Sequence, residues 1–438
     1  MPNAKINFYL RRIITAAGIL SAVVIPLKAM AAQTAAISPE KVHNPDRELF
    51  LPSLASRGGH SVGVKTLSLV NPQQLNVNSK TLTDRELTVE LWYPTKDHQQ
   101  HSQYDNVTRL GKPFSLYANA KRDAEIKTNI EVRHQQRDDN TPNSRYPLVI
   151  FSHGYTGYRS LMFYLAEHLA SHGYIVAGID HTDSTNADVS AENPRSGFLS
   201  TLYNRSRDQQ FVRQQLLSKS SPVERAVNPL ATGLVGYSMG GYGLIASIGG
   251  CYHFSEAALK GMSPEASAEE VSQAQQLLNT CQLPPQAPWQ AAVAMAPWGN
   301  QLGVFDQQRL ASIRTPLLTI SGDLDDVSIY SSIRKLHEAV GSEHKHLLTY
   351  LNARHNIAPH PAPRVAHEHE YDLGHYFEPA WDLHQINAIN QHVTLAMMDC
   401  HLKQRASACE LLELQGLASD GDGWKGFPKR FTTGLRWE

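Results

Sequence analysis

The sequence predicts an α/β fold: a mostly parallel sheet covered by helices on both faces. Three observations lead there. Short apolar runs at 147–152 (PLVIFS), 174–180 (YIVAGID), 291–296 (AAVAMA) and 316–321 (PLLTIS) read as strands buried on both faces. Segments of helical spacing separate them; Leu161, Leu165 and Leu169 line one face of such a segment, and Gly173 ends it. Strand and helix then alternate as far as residues 347–351, which implies βαβ units.

The bulk numbers bound the rest. With 438 residues, 41% hydrophobic and 18% charged, the chain suits one large core with insertions. A formal net charge of −1, with both signs mixed along the chain, gives no footprint for a nucleic-acid partner. Lys5, Arg11 and Arg12 precede an apolar run at 13–27, and Ala29-Met30-Ala31 supplies small residues for cleavage. A secretory signal peptide over 1–31 is expected, with export to the periplasm or beyond and a mature chain from near Ala32. The run holds Thr15, Gly18, Ser21 and Pro26 and is shorter than the ~20 residues that span a bilayer, so no stable membrane anchor should remain. Cys251, Cys281, Cys400 and Cys409 fit an oxidising compartment. Three pairings are possible, and proximity favours Cys251–Cys281 and Cys400–Cys409.

In chain order, residues 32–58 read as a polar leader to a single domain at 59–438. Strands are expected at 61–70 and 85–93, the second from the alternation of Leu87, Val89, Leu91 and Tyr93 with polar neighbours. Residues 95–145 read as a polar, irregular insertion. A helix is expected around 208–217, a short strand at 234–236, and a helix from there to about 249. Residues 251–288 break the rhythm as a small helical insertion. Ser267 and Glu270 form a capping box there, ahead of an apolar stripe of Val271, Ala274, Leu277 and Leu278. Its place after the 236–249 segment suits a cap over a site or a surface hairpin. A helix at 329–340 and the strand at 347–351 complete the pattern.

Chemistry concentrates in Gly236-Tyr237-Ser238-Met239-Gly240-Gly241, a G-x-S-x-G turn between strand and helix. Such a turn lifts a serine above the sheet and aims a helix N-terminus at it. A serine hydroxyl needs a base within reach and a third group to fix that base's tautomer. In strand–turn–helix nucleophile folds the order is Ser, acid, His. The acid should follow a later strand, where Asp323, Asp325 and Asp326 compete; Asp325 has the preferred G-x-x-D spacing from Gly322. The base should follow the last strand, which selects His355. An oxyanion needs preplaced donors: the N–H of Met239, and the N–H of Tyr155 in His153-Gly154-Tyr155-Thr156-Gly157.

These residues carry a resemblance. The pieces 87–94 (LTVELWYP), 152–157 (SHGYTG), 236–241 (GYSMGG), Ala296-Pro297-Trp298, 321–325 (SGDLD) and Arg354-His355 resemble the platelet-activating-factor acetylhydrolase and predicted dienelactone hydrolase-like group of α/β-hydrolases. They are also similar to the related bacterial cutinases and polyester hydrolases. The likeness runs from about residue 58 to the C-terminus, with 95–145 and 251–288 unmatched. It implies an α/β-hydrolase fold, to which the 251–288 insertion would add a small helical cap, a serine esterase acting on small-molecule esters, no cofactor, and a place in lipid degradation. Ser238, Asp325 and His355 would form the triad, Tyr155 and Met239 the oxyanion hole, and Tyr155, Tyr237 and Trp298 the substrate pocket. Ser238 departs from dienelactone hydrolases proper, whose nucleophile is cysteine.

Rival readings stay open on the same fold: a cutinase-type polyester hydrolase, if the insertions leave the cleft open, or a peptidase. A different class is a periplasmic metal carrier, suggested by His355, His360, His367, His369 and His375 with Glu368 and Glu370. No HExxH spacing occurs, so no metal is expected. A non-catalytic binder on this scaffold should lack a triad member, and none is missing. The 251–288 helix has one apolar stripe, and its opposite face carries Glu269, Gln273 and Gln276. The helix needs that stripe for packing, so a pinned polar cap is expected, and with it a preference for acetyl to butyryl esters without activation by lipid emulsions.

Overall fold

The alternating runs take shape, in a computed structural model, as an eleven-stranded sheet among the described residues. Those residues are 37–43, 51–97, 101–128, 145–281, 289–420, 423–429 and 432–438. The expected signal peptide (1–31) lies outside them, as does part of the leader. Ser38–Glu438 forms one compact unit.

The strands are β1 (Ser61–Asn76), β2 (Thr81–Thr95), β3 (Ser102–Val107), β4 (Pro113–Ala118), β5 (Lys121–Arg122), β6 (Tyr146–Ser152), β7 (Ile175–Asp180), β8 (Val227–Tyr237), β9 (Ala291–Met295), β10 (Leu317–Gly322), β11 (Lys345–Tyr350), β12 (Gly416–Leu417) and β13 (Leu435–Trp437). In space the large sheet runs β12-β13-β11-β10-β9-β8-β6-β7-β2-β1-β5. From β7 to β11 all neighbours are parallel. The β1–β2 hairpin joins β7 antiparallel at one end, and β13 joins β11 antiparallel at the other. The sheet is therefore mostly parallel, as expected of an α/β-hydrolase fold.

Alternation of side chains explains the unbroken apolar runs. Val149, Phe151, Val293 and Met295 enter one apolar core, while Leu148, Ile150, Ala292 and Ala294 enter the other. Helices α1 (Phe163–Ser171), α2 (Phe198–Leu216), α3 (Met239–Ser247), α4 (Glu256–Met262), α5 (Ala268–Leu278), α6 (Gln307–Ser312), α7 (Tyr330–Ala339), α8 (Glu370–Leu373) and α9 (Leu383–His401) connect and cover the strands. Among the described residues no helix is long and apolar enough to cross a membrane.

Strand order places the site. From β6 the chain passes to β7 on one side, then crosses to β8 on the other. The carboxyl ends of β6 and β8 therefore lie side by side at a reversal of strand order, where α/β sheets open a crevice.

Three regions differ from the sequence expectation. Within 95–145, β3 and β4 pair antiparallel, and Tyr104, Phe114 and Leu116 are buried in the core. Tyr104 accepts a hydrogen bond from Trp92 Nε1 (2.6 Å) and donates one to Glu167 (2.7 Å). Six-residue strands with polar outer faces carry too short an alternation to read. α2 begins ten residues before the expected start, because its buried face is polar. The C-terminal α9, β12 and β13 were not foreseen.

Candidate active site

Ser238 sits between β8 and α3 with φ 52° and ψ −113°. A non-glycine residue at positive φ is strained and persists only where its surroundings hold it. Close packing explains the flanking glycines. A Cβ on Gly236 would lie 2.4 Å from the Gly240 carbonyl oxygen, and one on Gly240 would lie 1.9 Å from that of Ser152. The Ser238 turn and the end of β6 are thus pressed together.

His355 and Asp325 come from the turns after β11 and β10. The Ser238 hydroxyl donates to His355 Nε2 over 3.0 Å. His355 Nδ1–H donates to the Asp325 carboxylate, 3.0 and 2.9 Å from its two oxygens. The Val327 and Ser328 amides donate to Asp325 Oδ1 at 2.9 and 2.8 Å. The competing carboxylates are engaged elsewhere. Asp323 accepts from the Asn352 amide (2.6 Å), and Asp326 pairs with Arg354 at the surface.

The loop after β6 faces Ser238. A Cβ on Gly154 would lie 3.2 Å from Ser238 Cβ. Among the described hydrogen bonds, the amides of Tyr155 and Met239 donate to no protein acceptor. His153 holds the peptide between Gly154 and Tyr155. Its Nε2 accepts from the His181 amide (3.2 Å), so its proton is on Nδ1, which donates to the Gly154 carbonyl at 2.5 Å. Burial keeps His153 neutral by lowering its pKa well below the usual value.

Sequence reasoning missed the support behind this loop. Arg205, Asp208 and Gln209 on α2 are buried. Arg205 donates to the His153 carbonyl (3.0 Å) and to Ser184 Oγ; burial pushes its pKa down to about 9. Gln209 donates to Ser152 Oγ (2.9 Å) and to the Gly240 carbonyl (3.0 Å), linking β6 to α3. Asp208 takes two hydrogen bonds from Arg85, each 2.8 Å. A signal was present: these residues lie at helical spacing in line with the buried Leu202, Val212 and Leu216. Polar groups within an apolar stripe mark a buried network.

Tyr155 and Trp298 meet through a third ring, Phe198 at the start of α2. Its centroid is 5.5 Å from Tyr155 and 5.7 Å from Trp298, edge-on to both. The Trp298 amide donates to the Ser238 carbonyl (3.1 Å). Tyr237 is placed apart from this aromatic wall. It is buried against the His355 ring (5.3 Å), and its hydroxyl donates to Asn356 Oδ1 (3.1 Å). The histidine tract is dispersed. His360 bonds the Tyr158 hydroxyl (2.6 Å), and His369 caps Tyr371. Among the described residues no three metal-ligating side chains converge. Both favoured disulfides are present, Cys251–Cys281 and Cys400–Cys409.

Residues 55–228 match the family model described as platelet-activating factor acetylhydrolase, isoform II. The match contains the Tyr155 loop and α2 but ends before Ser238. A platelet-activating factor acetylhydrolase of Gallus gallus is 27% identical over 136 residues, 30% of this chain and 30% of that protein. A Thermobifida alba cutinase is 30% identical over 103 residues, 24% of this chain and 30% of the cutinase. The chain thus spans about 30% of the length of these curated relatives. A ferulic acid esterase from Streptomyces cinnamoneus superposes with TM-score 0.52 at 18% identity, over 84% of this chain and 94% of that one. That likeness carries the fold. The chain thus has the α/β-hydrolase fold and is similar over part of its length to the platelet-activating factor acetylhydrolases and the bacterial cutinases.

Proposed function

We propose that the protein is a serine carboxylic ester hydrolase with Ser238 as nucleophile, His355 as general base and Asp325 as orienting acid. The unbroken line of hydrogen bonds from Asp325 through His355 to Ser238, on a strained strand-to-helix turn, carries this reading. Ser238 Oγ attacks the ester carbonyl carbon while its proton passes to His355 Nε2. The negative charge that develops on the carbonyl oxygen is met by the Tyr155 and Met239 amides. His355 then gives the proton to the departing alcohol, leaving an acyl group on Ser238. Water repeats the sequence and releases the carboxylic acid. Asp325 keeps Nδ1 protonated, so that Nε2 is free to accept.

Hydrolysis of p-nitrophenyl acetate, with labelling by a fluorophosphonate, tests this. Both should be lost in Ser238→Ala; a label on any other residue overturns it. The two disulfides support an exported protein. The short-acyl expectation assumed that the α5 stripe is consumed in packing. Val271 and Leu278 are buried and Ala274 and Leu277 pack against the core, yet all four also line a cavity.

A further inference from the structure

A cavity of about 750 Å³ lies between the tip of the β1–β2 hairpin, the start of α2, and helices α4 and α5. Its wall is apolar: Val77 from the hairpin, Leu202 from α2, Leu259 and Met262 from α4, Val271 and Ala274 from α5. Charged groups lie at its margin and have partners there. Lys80 Nζ donates to Gln273 (3.2 Å), Arg195 donates to the Met262 carbonyl (3.1 Å), and Glu270 closes the capping box with Ser267. The volume falls in the range of small-molecule pockets, roughly 300–1,000 Å³.

Phe198 connects this cavity to the candidate active site. It lines the cavity, and its ring meets the edge-on wall of Tyr155 and Trp298, the latter bonded to Ser238. An occupant must be apolar along its length, because the interior wall offers no charge to hold a polar one. It must also be narrow enough to pass one phenyl ring.

We propose that the cavity takes the hydrocarbon chain of the ester substrate, with Phe198 as the gate between the reacting carbonyl and the chain. The proposal rests on the serine esterase reading and names its substrate class: esters bearing a linear alkyl chain beyond butyryl. The Cys251–Cys281 disulfide ties β-bridge residue Tyr252 and the end of the α5 segment together, so α4 and α5 form a fixed wall rather than a lid that swings away. The entry is spanned at its margin by the Lys80–Gln273 and Arg195–Met262 hydrogen bonds, both exposed.

Each methylene that leaves water for the cavity should raise kcat/KM by up to about fourfold, until the cavity is full. The test uses p-nitrophenyl esters from acetate to decanoate with the full-length protein, Ala274→Trp and, from the opposite wall, Leu259→Trp. Thermal unfolding identifies any variant that fails to fold. The ratio of decanoate to acetate kcat/KM should fall at least tenfold in the filled variants. An unchanged ratio in folded variants overturns the cavity, whereas absence of acetate hydrolysis in the unaltered protein overturns the esterase reading instead. Binding of a fluorescent decanoic acid analogue to Ser238→Ala, with and without Ala274→Trp, decides the cavity without turnover. Loss of binding in the double variant supports it, and equal binding rejects it.

Discussion

Ser152, His181 and Asp208 repeat, in the same hydrogen-bond order, the arrangement of Ser238, His355 and Asp325. The distances nearly coincide. Serine to histidine is 2.8 Å in the first set and 3.0 Å in the second, and histidine to aspartate is 2.9 Å in both. The surroundings do not. Ser152 ends a regular strand, has no exposure, and accepts a further hydrogen bond from Gln209. Asp208 is clamped by Arg85, where Asp325 is held by two backbone amides. Ser238 stands on a strained turn, is 7% exposed, and heads a helix beside two unengaged amides. A Ser–His–Asp relay is thus one way to satisfy buried polar groups. Access, backbone strain and oxyanion donors turn such a relay into a nucleophile. In our reading the buried set braces the end of β6, one residue before the loop that carries Tyr155.

Removing the two serines gives the largest contrast. Ser238→Ala should reduce kcat by about 10⁶-fold. Ser152→Ala should reduce it by no more than about tenfold, since it takes no part in bond making. Steady-state rates on p-nitrophenyl acetate measure both, and comparable losses would erase the distinction. The acids separate next. Asp325→Asn should cost about 10⁴-fold in kcat by favouring the wrong histidine tautomer, with little change in stability. Asp208→Asn leaves the buried Arg85 with only its contact to the partly exposed Asp183 (3.3 Å) and should cost about 3 kcal/mol of stability. Chemical denaturation should register that loss, while turnover per folded molecule stays close to that of the unaltered protein.

Arg205 lies between these extremes. Its stem packs where a Cβ on Gly243 would lie 2.5 Å from Arg205 Cγ, and its head bonds the His153 carbonyl. In our reading it positions the Tyr155 amide. Arg205→Met should lower kcat about tenfold with KM nearly constant, because the amide matters most when the oxyanion forms. A rise in KM at constant kcat would assign Arg205 to substrate binding instead.

Much of the candidate site was legible because the residues that meet in it are tied to strand ends. The run 147–152 fixes β6, and the Gly-rich turn after 234–236 fixes α3. Acid and base then follow from the strands at 316–321 and 347–351. Proximity was enough for the disulfides. What escaped was long-range. β13 has only three residues, Leu435–Trp437, and is a strand because β11 offers it an edge. Arg205, Asp208 and Gln209 share a helix stripe with Leu202, Val212 and Leu216, but their partners on β6 and α3 are visible only once those elements are laid against them. The cavity beside α5 was hidden because an apolar stripe reads the same whether it meets a partner or a space.

The smallest contrast is in pH dependence. Burial holds His181 at a pKa of about 3, below the ~6.5 of an unfolded histidine. The folded protein keeps it neutral, so below pH 6.5 the unfolded chain binds the extra proton. Stability is therefore fully present above pH 6.5 and falls as the pH drops toward 3, by about 1.4 kcal/mol per pH unit from this residue. Asp208 adds to the loss at lower pH, since Arg85 holds its carboxyl below the usual range against the opposing effect of burial. His43 and His375, also buried and held at about 3, act with the same sign. Urea unfolding between pH 7 and pH 4.5 should give a steep decline in the unaltered protein. In His181→Gln the decline should be shallower by about one proton, though the variant starts from a lower stability. Parallel declines would mean that His181 is protonated equally in both states, and the buried relay would lose the neutral imidazole on which its hydrogen-bond order depends.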